Sequence, residues 1–230
     1  LKQEYKNEAQ NKNNHKWKRN LILLNYIKYI FFKRKRKEVE MKLKIQKGTN
    51  LSTRTASQLN RILQNAFSDN DTLEIGTKAT YSKDIFFILY NSKKDILSVG
   101  RLRLAKIKFL DKTYDFLGIA DIVSTIKRKG YGKRIVKSMH KYLKNKKGIG
   151  FCKRKNAIFY KKSGFNLAKD VSKRFVYKNK KNKMIKNSED DDVIYSDNAK
   201  SLIKLILSNP REKIFISRVH CKMKLNKSDK

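Results

Sequence analysis

A chain of 230 residues with 39% hydrophobic content holds one ordinary core with appendages and excludes two large domains. Its formal charge of +38 disfavours polycationic partners, which long-range repulsion would slow, and raises nucleic acid or an anionic membrane surface as alternatives. The charge is carried by 45 Lys against 13 Arg, spread along the chain among abundant Asn and Ile, a mixture that drift in an adenine- and thymine-rich coding sequence produces. Bidentate phosphate readers favour Arg, and stacking aromatic motifs are missing, so no specific nucleic acid is expected. Cys152 and Cys221 cannot build a disulfide framework, and no Cys or His spacing suggests a metal, so the expected setting is reducing and cytoplasmic, with no metal. His15, His140 and His220 lie far apart and read as surface or satisfied residues.

In chain order, residues 1–40 read as a flexible basic appendage. Their apolar run "LILLNYIKYIFF" (21–32) is interrupted by Lys28 and is shorter than the ~20 residues a membrane helix needs, so no transmembrane segment is expected. Basic "KRKRK" stands where a signal peptide would be cleaved. With residues 21–37 as an anchor, a membrane-surface protein is a third reading. The folded part is expected to start near Met41, the first methionine.

Leu59, Ile62, Leu63, Ala66 and Phe67 share one face of a helix over residues 55–67. "IFFILY" (85–90) reads as a buried strand and "NSKKD" as a hairpin turn. From Ile96 to Phe109, Leu102 and Leu104 alternate with Arg101 and Arg103 before the apolar phase passes to Ile107 and Phe109, which predicts a bulge or a change of face. A third strand covers residues 114–123 after the turn "LDKT". It runs into "IKRKGYGKRI" (126–135), after which Ile135, Val136, Met139, Tyr142 and Leu143 recur at helical spacing. A short strand "IGFC" and a helix "NAIFYKKS" follow, the helix stopped by Gly164. "FNLA" and "RFVYK" read as two more strands. Beyond residue 180 the expectation is a polar linker with a solvated acidic cluster, Glu189 to Asp192, then a helix "NAKSLIKLILS" and a strand "KIFISRV".

The glycines of the decapeptide sit where a strand hands over to a helix. The first N–H groups of a helix lack intrahelical partners and carry partial positive charge, so an anion binds there. Gly130 and Gly132 allow a tight turn and close approach, while Arg128, Lys129 and Lys133 add charge. A pyrophosphate fits, from a dinucleotide, a nucleoside triphosphate or coenzyme A. The dinucleotide fingerprint fails because Ile135 stands where its third glycine belongs, and the Walker pattern is absent. Coenzyme A remains.

"KRKGYG" resembles the R/Q-x-x-G-x-G/A loop of the GNAT acyl-CoA N-acyltransferase superfamily, and "AIFYKKSGF" (157–165) is similar to its A-x-x-FY-x-x-x-GF element. The resemblance covers roughly residues 41 to 180, with residues 181–230 as a linker and extension. Two positions depart from it: Lys127 replaces the usual Arg or Gln, and Asn156 occupies the slot usually held by alanine, where the resemblance places it against the cofactor.

The implied fold is α+β, a central mixed, mostly antiparallel twisted sheet flanked by helices, with the pyrophosphate loop at the strand-to-helix junction. The implied activity is acetyl transfer from acetyl-CoA to a primary amine of a small molecule or protein by direct attack, with a homodimer open to it. Ala120, Ile122 and Val123 would pair with the pantetheine arm, and Lys127, Arg128, Lys129, Gly130, Tyr131, Gly132 and Lys133 would cradle the pyrophosphate. Tyr160 would protonate the departing thiolate, and Asp121, or less readily Asp115, would serve as base. The alternative is a basic nucleic-acid-binding module on a non-catalytic scaffold of the same fold.

Overall fold

The structure, a computed structural model, describes residues 40–67, 81–178 and 184–218. The expectations for residues 1–39, for His15, His220 and Cys221, and for most of the loop after the first helix lie outside the described residues. The described residues from Lys42 onward belong to one compact unit.

The strands are β1 (Lys42–Lys47), β2 (Ile85–Tyr90), β3 (Ile96–Phe109), β4 (Lys112–Ser124), β5 (Gly148–Lys153), β6 (Asn166–Ala168), β7 (Phe175–Lys178), β8 (Met184–Lys186), β9 (Asp191–Tyr195) and β10 (Ile214–Arg218). The helices are α1 (Thr53–Phe67), α2 (Tyr131–Tyr142), α3 (Ala157–Lys161) and α4 (Lys200–Ser208). They form an α+β fold around a mixed, mostly antiparallel sheet ordered β6-β9-β5-β4-β3-β10-β7-β8, with β2 and then β1 beside the first half of β3. The long strand β3 is the hub. One edge pairs with β4 along most of its length, while the other takes β2 at Ile96 to Leu102 and β10 at Ala105 to Lys108.

Side-chain alternation explains the layers. Val99 of β3 packs under α1 with Leu59, Leu63, Phe86 and Ile88. On the same face, two-residue steps along β3 lead to Ala105, Ile107 and Phe109, which pack under α4 with Leu202, Ile203 and Ile206. Each fully buried Leu or Ile here contributes about 1.5–3 kcal/mol. The opposite face carries α2, whose Ile135, Val136 and Met139 are buried. Gly100 permits that close approach, because a Cβ there would fall 2.6 Å from both Ile135 Cγ2 and Met139 Sδ.

Several expectations change. β3 neither bulges nor switches face after Leu104: Arg101 and Arg103 share a face with Ile107 and Phe109, and what alters is the chemistry of that face. One register shift lies between Val99 and Arg101, where the extra residue belongs to β4, and a second lies opposite Leu89 and Tyr90, where Leu97 is the extra residue on β3. The helix expected over residues 156–163 is shorter, a 3-10 turn at Arg154–Asn156 and then α3, ended as expected at Gly164 with φ 105°. Helix α1 begins at Thr53, with the Thr55 N–H donating to Ser52 Oγ at 3.2 Å, and its last turn leaves the cluster, exposing Phe67.

The reading of residues 189–192 as a solvated linker is corrected in its second half. Asp191 and Asp192 open β9, which lies between β5 and β6, and Asp192 is only 2% exposed. Residues 184–218 thus supply three strands and a helix to the same sheet.

Candidate active site

The site begins where two parallel strands separate. β4 and β5 pair only at Leu117↔Gly148, Gly118↔Ile149 and Ile119↔Gly150. Beyond that, β4 continues against β3 and β5 against β9, leaving an opening between them. Pairing steps from Val99↔Val123 to Arg101↔Ala120, so β4 carries a bulge, with Asp121 in the left-handed region at φ 53°.

The bulge decides which main-chain groups face the opening. Before it, the Leu117 N–H donates to Lys147 O at 2.8 Å, so odd residues face β5; after it, the Thr125 N–H donates to Leu97 O at 3.0 Å, so odd residues face β3. By alternation the amides and carbonyls of Ile122 and Ser124 point into the opening, and those of Ala120 and Val123 point to β3. The Val123 carbonyl also accepts a hydrogen bond from Ser98 Oγ at 2.6 Å. Ser124 was invisible in the sequence, because a bulge that inverts a strand's parity depends on its neighbour.

At the mouth of the opening, Arg128 (φ 62°) and Gly130 (φ 78°) curl the loop in the manner that turns successive amides toward one anion. Gly130 is the N-cap residue of α2, with no side-chain cap and no acidic residue in the first turn, so the helix's leading N–H groups stay available. A Cβ on Gly130 would meet nothing within 4 Å, which leaves the approach clear. Gly132 is tighter: a Cβ would lie 3.1 Å from Ser124 Oγ and 3.8 Å from Phe159 Cζ. Lys127, Lys129 and Lys133 are exposed around the loop, and Tyr131 is half-buried. Asn156 is exposed in the 3-10 turn that enters α3, while the neighbouring Ala157 is buried.

Helix α3 brings Tyr160 to the β5 side, edge-on to Phe159 at 5.1 Å and to Phe165 at 6.4 Å. Burial, and then the nearby Cys152, push its phenol up to about 12. Burial, and then Asp192 and Asp191, push the Cys152 thiol up to about 11, so it stays protonated at neutral pH and is a poor nucleophile. Asp192 faces Cys152 across the β5–β9 pair. His140 packs edge-on to Phe165 at 5.0 Å.

Asp121 is held by two guanidinium groups. Arg101 pairs with it directly, and Arg103 Nη2 donates to its Oδ1 at 2.9 Å and its Oδ2 at 2.7 Å. Arg101, 2% exposed, also reaches Asp84 Oδ2 at 3.4 Å. A carboxylate so engaged is a poor proton acceptor and a good anchor for the bulge. Asp115 is exposed near the start of β4, six residues and about 20 Å of strand from Asp121, and pairs with Lys106 at 3.8 Å. Its position separates it from the opening.

Among the described residues no helix is long and apolar enough to cross a membrane, and no group of three or more His, Cys, Asp or Glu could hold a metal. No family model matches the chain, and no curated protein matches its sequence. Solved structures are similar to it. An acyl-CoA N-acyltransferase from Pseudomonas aeruginosa aligns with a TM-score of 0.49 at 10% identity, over 68% of this chain and 99% of that one. An N-acetyltransferase from Staphylococcus aureus aligns at 0.46 and 13% identity, over 69% and 98%. A variant of spermidine N-acetyltransferase from Vibrio cholerae aligns at 0.48 and 12% identity, over 72% and 98%. These three solved structures are described as N-acyltransferases or N-acetyltransferases, and the likeness to them is one of fold.

Proposed function

We propose that the protein is an acyl-CoA-dependent N-acyltransferase that transfers an acetyl group to a primary amine in a ternary complex. The observation that carries this reading is the opening between β4 and β5 with an uncapped helix start at its mouth. Ile122 and Ser124 offer main-chain donors and acceptors along one wall, which suits an extended amide-bearing arm. The α2 amides and the αL turn at Arg128 and Gly130 suit a diphosphate.

Bound acetyl-CoA would supply a thioester, at whose carbonyl the amine nitrogen forms a C–N bond as the C–S bond breaks and sulfur keeps the electron pair. The chain's residues do the rest. Amides beside the bulge stabilise charge on the carbonyl oxygen, Tyr160 offers its proton to sulfur, and the amine loses its own to solvent. In water, donation from a phenol at about 12 to a thiolate of ~8.5 is uphill by roughly 5 kcal/mol. The apolar surroundings that raise the phenol raise a thiol in the same place and narrow that gap. Cys152, held as a thiol, favours direct attack over a covalent relay. Asp121 serves as anchor for the bulge, and water takes the proton.

Tyr160→Phe tests the reading: turnover should fall about 100-fold or more while acetyl-CoA still raises the melting temperature. Unchanged turnover would remove Tyr160 from the acid role. A steep loss of nucleic-acid binding with salt, without any acetyl-CoA effect, would favour the basic binding module instead.

A further inference from the structure

On the face of the sheet shared by α1 and α4, the two apolar clusters are separated by a charged strip. It contains Asp84, Arg101 and Arg103 on one side and Gly118 to Asp121 of β4 on the other. A glycine in the middle of a central strand weakens that strand and marks a close approach. Gly118 is only half-buried, and a Cβ there would meet Arg103 O at 3.5 Å, Arg103 Cβ at 3.8 Å and Phe116 Cε2 at 3.8 Å, ordinary contacts.

Arg103 stands directly across from Gly118 in the β3–β4 register. Of the two arginines it is the accessible one, with a side chain 23% exposed against 2% for Arg101. Its Nη2 alone makes both contacts to Asp121, and its buried Nε–H meets no acceptor. The side-on fork of the guanidinium is therefore half used, beside the side-chain-free Gly118 and next to the bulge. Asp121, itself gripped by Arg101, fixes the guanidinium before any ligand arrives, which lowers the ordering cost of binding.

The geometry points to Arg103 and Gly118 as an acceptor subsite for a carboxylate, so that the amine acylated is a small amino acid with a free carboxyl group. This rests on the acyltransferase reading above and adds the substrate class. A planar carboxylate completes the fork and satisfies Nε, which a neutral amide oxygen does less well. The opening lies along the far edge of β4 from β3, more than one strand spacing of about 4.8 Å from the Arg103 backbone, and the contact of Nη2 with Asp121 brings the guanidinium to the bulge beside it. No covalent step beyond the acyl transfer already described is involved.

The test uses the full chain, acetyl-CoA and a set of free amino acids, the same amino acids as carboxamides, and ethanolamine beside O-phosphoethanolamine, with thiol release as readout. The acids should exceed their carboxamides at least about tenfold in kcat/KM. Arg103→Gln should bring that ratio close to one, whereas a purely structural defect lowers both members and leaves the ratio. Gly118→Val, which adds a side chain beside Arg103, should raise KM for the acids. Carboxamides used as well as acids, or a ratio that survives Arg103→Gln, would overturn the subsite. Preference for O-phosphoethanolamine over every acid would replace carboxylate by phosphate and overturn the amino-acid class. If no amine is acetylated although acetyl-CoA raises the melting temperature, the acceptor class falls and the acyl-CoA reading stands; if acetyl-CoA has no effect, both fall.

Discussion

Burial governs what Tyr160 and Cys152 can do. Both stand above their ordinary values in the folded chain, Tyr160 at about 12 against 10.0 and Cys152 at about 11 against 9.0. A folded-state value raised above the unfolded one contributes stability that is complete below the unfolded value and lost as pH rises through the folded one. The tyrosine's contribution is therefore intact to about pH 10 and lost toward pH 12. Lysine deprotonation acts over the same range, so the comparison is with Tyr160→Phe: the melting temperature of the wild type minus that of the variant should fall as pH rises from 10 to 12. A difference that rises there would contradict the buried phenol. Within the neutral range neither group titrates, and the pH dependence of turnover should follow the acceptor amine.

Helix α2 and the bulge of β4 together make the opening, and they were unequally legible. Ile135, Val136 and Met139 at helical spacing after two glycines announced α2 and its start, because one face of that helix must meet the sheet. The alternation of β3 predicts a bulge, and β3 has one at Leu97, away from the change of phase; the bulge of β4 leaves no sign in the sequence, because Arg101 and Arg103 read as an outward phase. Only the contact with Asp121 and Asp84 shows that charge can point inward. β1 and β9 were hidden for a related reason: "KLKIQK" and "DDVIY" carry Lys or Asp where strands are usually apolar, and their pairing with β2 and β5 overrides local preference. At Gly132 the helix would accept alanine, but its Cβ at 3.1 Å would push Ser124 Oγ aside by a few tenths of an ångström. Gly132→Ala should leave the melting temperature within a few degrees and weaken acetyl-CoA binding about tenfold by calorimetry, and equal affinity would show that this approach is not used.

Across the whole molecule, sheet closure depends on late chain. β9 fills the place between β5 and β6, and α4 covers the core that Phe116, Ile149 and Phe175 share. A chain ended after residue 183 should lose its cooperative thermal transition, whereas a sharp unfolding curve would make the last strands dispensable. The charge of +38 belongs to the same scale, acting over the surface without selecting a site. Site-resolved titration therefore separates the two origins of anion affinity. Nuclear magnetic resonance of the labelled full chain with acetyl-CoA at 0.15 M salt should move the amides of Arg128 to Lys133, Ile122 and Ser124 together and saturably, leaving distant lysine-rich segments still. Shifts scattered over the basic surface with the Gly130 loop unmoved would contradict the acyl-CoA site.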